Sequence, residues 1–214
     1  MVLKVNIENV SVIAISSPPG GGKSTLANAL IDAFSAVSSI DYDDFQEITT
    51  EPIEKIETWA DSGGDYNDFE LPLLESALAR LKQGDSVINP ANKKVIESQK
   101  TIFFQAPFGR EHKKTACYID QLIWLDTPLD IAIARSSMAS IDEFKKHDEM
   151  AYEHALGFLD WQKAYFHNYI QSVRPLLLSQ REKIINTADI VLDGNLSVDA
   201  LVDSIKSRIN LYGK

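Results

Sequence analysis

VIAISSPPGGGKSTLANAL, residues 12–30, is the stretch on which the fold turns. A short apolar run rich in β-branched residues leads into glycines, and Leu26, Ala29, Leu30 and Ala33 then recur at helical spacing. The pattern predicts a strand over Val10–Ser16, buried on both faces, and a helix over Ser24–Phe34. Residues 17–24 read S-P-P-G-G-G-K-S, which matches G-x-x-x-x-G-K-[S/T] except that Ser17 stands where the first glycine belongs. That pattern cradles phosphate because successive backbone N–H groups curl around anionic oxygens at a helix N-terminus. Gly20, Gly21 and Gly22 allow close approach and positive φ, Lys23 brings a point charge to the β and γ phosphates, and the Ser24 hydroxyl suits Mg²⁺. Thr25 is placed to reach the α-phosphate. Ser17 is small enough to make the turn out of the strand provided its φ stays negative.

The chain has 214 residues, enough for one α/β domain with a mobile insertion. Its one cysteine, Cys117, sits in no metal-ligand spacing, and the N-terminus lacks the marks of a signal peptide. Neither a membrane nor nucleic acid is expected as a partner. No apolar run reaches the ~20 residues of a bilayer span. Acids outnumber bases 31 to 21, a formal net charge of −10, which opposes the counterion release that drives nucleic-acid binding. A cytoplasmic protein is expected, with homodimerisation left open. The local basic run Arg110, His112, Lys113 and Lys114 leaves small anions available as ligands.

Further strands are expected over Val37–Ile40, Thr101–Phe104, Gln121–Leu125 and Ile190–Leu192. Asn89-Pro90-Ala91-Asn92 predicts a turn between two short β pieces. Helices are expected over Leu71–Lys82, from Pro128 to about Met138, over roughly 148–180, and over Val198–Ile209, with a short one around Ile53–Trp59. Alternating strands and helices imply a parallel sheet covered on both faces. Trp161, Tyr165, Tyr169 and Val173 recur every four residues and predict a stripe packed in the core. Trp59, Tyr66, Asn67 and Phe69 read as hydrophobic anchors of the polar 45–67 stretch. Four histidines show no zinc spacing, and no nucleophile elbow is present.

Three classes share such a phosphate loop. A GTPase needs N-K-x-D, and Asn92-Lys93-Lys94-Val95 lacks the aspartate. A motor ATPase expects a paired acid after an apolar strand, whereas QLIWLD is followed by Thr127-Pro128. Small-molecule kinases fit the length. The chain resembles the uridine kinase and phosphoribulokinase-like branch of the P-loop kinases, which includes nicotinamide riboside and pantothenate kinases. The resemblance rests on SPPGGGKST (17–25), YDDF (42–45), WLDTPLDIAIAR (124–135) and VRPLLLSQREKIINTADIVLDG (173–194). QAPFGRE (105–111) and DYNDFELP (65–72) are similar to segments of the same group.

The resemblance implies a single domain over 1–214 with a three-layer α/β fold. Its five-stranded parallel sheet would run in the order 2-3-1-4-5, with an acceptor-side insertion over about 45–85 and a lid over about 136–150. It implies ATP and Mg²⁺ on Pro19–Thr25, a small-molecule phosphate acceptor, and transfer to a hydroxyl. Asp43 aligns with the family's base and, with Ser24, with its metal site; Asp41 is the alternative base. Lys23 and Arg135 would stabilise the moving charge, with Arg135 on the lid helix. Asp44, Tyr66, Gln105 and Arg110 would face the acceptor, Arg110 at the pocket rim. Gln105 stands where the family often has an acid, so either Asp43 and Asp126 would supply the missing charge or catalysis would be slow. The lid offers only Lys145 and Lys146 beyond Arg135. Two rival readings remain: an ATP-binding regulatory or degenerate kinase, and an NTPase that releases phosphate to water.

Overall fold

In the computed structural model, residues 10–45, 58–59, 64–146 and 152–209 are described. The first unit is strand β1 (Ser11–Ser16), a glycine loop, and helix α1 (Lys23–Ala33). Strand β2 (Val37–Asp41) follows. Helix α2 (Pro72–Lys82) begins on a proline, whose missing N–H costs nothing in a first turn. Strands β3 (Val87–Ile88) and β4 (Val95–Ile96) form an antiparallel hairpin. Next come β5 (Thr101–Gln105), a one-turn helix α3 (Lys113–Ala116), β6 (Gln121–Asp126) and α4 (Leu129–Lys145). Helix α5 (Tyr152–Asn168) runs through a π-turn (Tyr169–Val173) into α6 (Arg174–Thr187). Strand β7 (Ile190–Asp193) and helix α7 (Val198–Arg208) end the described chain.

The five long strands form one sheet in the order β2-β5-β1-β6-β7, all neighbours parallel. Numbered among themselves they are the expected 2-3-1-4-5. Each strand has apolar residues on both faces, so the sheet is covered twice. On one side Leu74, Leu78 and Leu81 of α2 and Ile184 of α6 pack on Val12, Ala14, Ile102, Phe104 and Trp124. On the other, Leu26 and Leu30 of α1 and Leu201 and Ile205 of α7 pack on Ile13, Ile15, Phe103 and Ile123. Residues 72–82, expected within the 45–85 insertion, therefore belong to the core.

Three expectations are corrected. Helix α4 continues past Met138 to Lys145 despite three serines, because Phe144 stacks on Phe158 of α5 with ring centres 4.2 Å apart. Tertiary packing overrides weak propensity there. The 148–180 helix is interrupted by the π-turn. Pro175, which lacks an N–H and crowds the preceding turn, stands next to it, and a π-turn accommodates the lost bond. The stripe from Trp161 to Val173 is not core: Trp161 is 50% exposed and Val173 is 38% exposed. Its rings stack along the helix surface, Phe158 to Trp161 to Tyr165, and onto Phe144 of α4, on a helix with no buried side chain among those described. Helical periodicity reports a face; it does not report what covers that face.

The expected helix at 53–59 lies outside the described residues apart from Thr58 and Trp59, which are helical, and the end of the expected lid, 147–150, lies outside them too. Among the described residues no helix is long and apolar enough to cross a membrane.

Candidate active site

The carboxyl end of a parallel sheet is where strands stop and helix N-termini begin, so backbone donors converge there. The glycine loop occupies this position. Gly22 caps α1 in the left-handed conformation, φ 104°, and Gly20 has φ 75°. A Cβ on Gly20 would overlap the Ala132 carbonyl oxygen of α4, so the loop and that helix touch through backbone. Ser17 is buried, 1% exposed, is not among the positive-φ residues, and donates its hydroxyl to the Pro18 carbonyl at 2.9 Å. Its side chain occupies the space that a Cβ on Gly21 would need. A serine at the head of the loop is thus compensated by a glycine four residues later.

A cleft of about 680 Å³ opens over the loop, lined by Pro19 through Leu26. Arg135, Ser136 and Ala139 of α4 form one wall, and Gly194, Leu196 and Val198 form another. Asp41, Asp43 and Pro107 close the far end. Arg135 donates to the Gly194 carbonyl at 3.3 Å. Lys23 donates to the Ser17 carbonyl at 3.3 Å, a long bond that is readily exchanged. Burial lowers the Lys23 ammonium from its ordinary value, while the Asp43 and Asp41 carboxylates pull it back up. Burial also raises the Asp41 carboxyl, against the backbone N–H of Asp43, which donates to it at 3.1 Å. Asp43 itself is exposed at the cleft.

Ser24 donates its hydroxyl to Gln105 Oε1 at 2.7 Å. The amide at the end of β5 therefore fixes the direction of the Ser24 oxygen without bringing charge. Asp126 is engaged elsewhere: Arg181 grips it with two bonds of 2.7 Å and the Trp124 indole donates at 3.0 Å. The Arg181 bonds hold its carboxyl below the usual range. This sets aside the expectation that Asp126 supplies charge at the loop. Thr127, beside it, donates to the Gly21 carbonyl at 2.8 Å and ties the loop to β6.

The structure gives three expected acceptor contacts other partners. Arg110 lies at the amino end of the sheet, donating to Asp189 at 2.7 Å and to the Thr187 carbonyl. The β5–β6 connection has by then run back along the sheet, so a position shortly after β5 ends at the wrong edge. Asp44 accepts from Asn89 at 2.6 Å and anchors the hairpin turn. Tyr66, 4% exposed, stacks on Phe108 at 4.6 Å, and burial pushes its phenol up to about 12. The anchoring expected of Trp59, Tyr66, Asn67 and Phe69 is what the rings do: Trp59 packs on Phe69 at 4.8 Å, and Asn67 donates to the Glu111 carbonyl at 3.2 Å. The basic run is dispersed as well, with His112 fully buried against Thr115 and the Phe69 carbonyl.

Ser136, Ala139, Leu196 and Val198 carried no sequence signal of their own, and Thr127, Arg181 and Gly194 lay within segments of resemblance without being singled out. Gly194 could have been found from the D-G turn after the last strand; a Cβ there would overlap Thr127.

No protein-family model matches the chain, and no curated protein matches it. Among solved structures, a shikimate kinase from Acinetobacter baumannii in complex with shikimate is similar at TM-score 0.51 and 15% identity, covering 94% of this chain and 93% of that one. An unliganded sugar kinase from Janibacter sp. HTCC2649 is similar at TM-score 0.50 and 16% identity, covering 94% and 95%. A possible uridine kinase from Bacillus stearothermophilus is similar at TM-score 0.45 and 16% identity, covering 87% and 90%. The chain has the three-layer fold of the P-loop kinases, over nearly its whole length.

Proposed function

We propose that this chain transfers the γ-phosphoryl group of ATP to a hydroxyl of a small molecule, with Mg²⁺ as the accompanying ion. One observation carries the reading: the glycine loop with its lysine and the carboxylates Asp41 and Asp43 line one cleft, close enough for both carboxylates to act on the Lys23 ammonium. Phosphoryl transfer asks the protein for position and charge, plus an acceptor for the hydroxyl proton, and this cleft offers each.

The chain's own groups suit the reactants. Gly20 and Gly22, in conformations that side chains rarely adopt, leave room for phosphate against backbone N–H groups at the start of α1. Lys23 exchanges its long bond to Ser17 for phosphate oxygen, and Arg135 adds a second positive charge from α4. Leu196 and Val198 give the cleft an apolar wall for a nucleobase. Ser24 and Asp43 would hold Mg²⁺, which when bound supplies positive charge against the phosphate oxygens. Asp43 takes the proton of the acceptor hydroxyl. Asp41, its carboxyl raised by burial, orients the Asp43 backbone.

The test is coupled ADP release with Mg-ATP against pooled nucleosides, sugars, hydroxy acids and vitamin alcohols, beside Lys23→Ala and Asp43→Asn. Turnover with one pool, lost in both variants, is the expected outcome; turnover indifferent to Lys23 would refute the reading. Gln105 favours a second reading, an ATP-binding chain with little transfer, because it contributes an amide where a charge would help neutralise the metal. That reading expects ATP binding that requires Lys23 and no acceptor-dependent ADP in any pool. Hydrolysis to water that survives Asp43→Asn would instead indicate an NTPase.

A further inference from the structure

Helix α5 carries two rows of large side chains, and the fold uses one of them. Phe158, Trp161 and Tyr165 form the row that stacks toward Phe144 of α4. Leu156, Leu159, Lys163, Phe166 and Ile170 form the other, at steps of three, four, three and four residues that run into the π-turn. Such steps keep to one side of a helix, and they are the seam spacing of paired helices. All five side chains are exposed, Leu159 to 59% and Ile170 to 64%. None of the five lines the cleft over the glycine loop.

The row is large for a surface that meets only water. Its four apolar side chains leave on the order of 400 Å² uncovered, comparable to the largest apolar patch of a typical monomer, which often marks an interaction site. A standard interface takes about 800 Å² from each partner, and a second helix laid along the row would also cover the Lys163 stem and the residues that flank the seam.

The order of residues in the row selects its partner. A copy of the same helix laid antiparallel sets Leu159 against the partner's Ile170 and Lys163 against the partner's Phe166, and two-fold symmetry makes each pair occur twice. The Lys163 ammonium then meets an aromatic ring, a favourable contact for a cation. In the same register Asp160 and His167, both exposed and both bordering the row on one side, fall opposite each other. A parallel copy in register would instead set Lys163 against the partner's Lys163, two like charges in the seam. We infer that α5 is a dimerisation surface, and that its occupant is α5 of a second copy of this chain, antiparallel along residues 156–170. A self-complementary patch of this kind closes as a two-fold pair.

Light scattering at about 50 µM should give twice the mass of the chain, falling toward a single chain on dilution. Leu159→Glu with Ile170→Glu brings carboxylates from both copies into the seam and should weaken association about 100-fold or more. Circular dichroism should be unchanged in that variant, because both side chains are already exposed in the single chain. Disulfide formation reads the orientation, in a Cys117→Ser background that removes the exposed native thiol. Leu159→Cys mixed with Ile170→Cys should give a crosslinked dimer and each alone should not, since the two positions lie about 16 Å apart along one helix. Crosslinking of either variant by itself would overturn the antiparallel register. A wild-type monomer at about 50 µM, or a dimer indifferent to Leu159→Glu with Ile170→Glu, would overturn the inference. Sedimentation of such a monomer with anionic vesicles would assign the row to a lipid surface instead.

Discussion

At one end of the cleft Gly20 holds φ 75° against the Ala132 carbonyl, Gly21 folds over the Ser17 hydroxyl, and Thr127 pins the loop to β6. At the other, Asp43 stands exposed on a short 3-10 turn capped at its start by the Asp41 carboxylate. The first end is specified by backbone geometry that tolerates no added atom; the second is specified by charge and by rings around Phe108. A donor common to many enzymes suits a rigid cradle. An acceptor peculiar to one enzyme suits a surface that side chains alone can retune.

The largest effects should fall at the rigid end. Gly20→Ala strains a positive-φ position and collides with Ala132, so nucleotide affinity should fall by about 100-fold or more, by a loss on the order of 3 kcal/mol. Titration with an ATP analogue checks this; binding within threefold of wild type would break the contrast between the two ends. Lys23→Met should also abolish binding while leaving the unliganded protein as stable or slightly more so. Its ammonium is lowered by burial, so at neutral pH the charged form is a cost to the folded state that methionine removes. Thermal melts without ligand measure the sign.

Smaller effects should appear beneath the cleft. Arg181→Met should destabilise by about 1 kcal/mol, because the pair is partly solvated. The Asp126 carboxyl is depressed in the fold. Its contribution is therefore fully present above the ordinary value near 3.8 and is lost as the pH falls through the lower folded value. The variant should lack that loss, so wild-type and variant stabilities should converge at acid pH; a gap that stays constant from pH 7 to pH 2 would contradict the assignment. Gln105→Glu should lower the magnesium concentration needed for half-maximal ADP release severalfold, since a carboxylate adds the charge that the amide lacks. Smallest of all, Trp161→Ala should cost less than about 1 kcal/mol, because the ring is half exposed and only its stacking is lost.

Much of the glycine-loop end of the cleft was legible in the chain, because a loop of this kind needs glycine at particular positions and glycine is visible in a sequence. The strands were legible as buried runs such as QLIWLD, whereas their order came only from the resemblance to the P-loop kinases. The acceptor end was harder. Asp43 could be placed from YDDF, but Arg110 could not, since its position depends on how far the β5–β6 connection travels before residue 110. Asp44 and Tyr66 were singled out by type, and type does not tell whether a side chain faces the cleft or anchors a turn. The aromatic stripe on α5 failed for a related reason: its period is helical, and only the tertiary arrangement decides that this face stays partly exposed.

The measurement closest to the central claim pairs ATP-analogue titration with acceptor-dependent ADP release for wild type, Lys23→Ala and Asp43→Asn. If one cleft holds both donor and acceptor, Lys23→Ala loses both binding and turnover, whereas Asp43→Asn keeps analogue affinity within about threefold and loses turnover by about 100-fold or more. Loss of nucleotide binding in Asp43→Asn, or full turnover with that residue neutralised, would contradict the account.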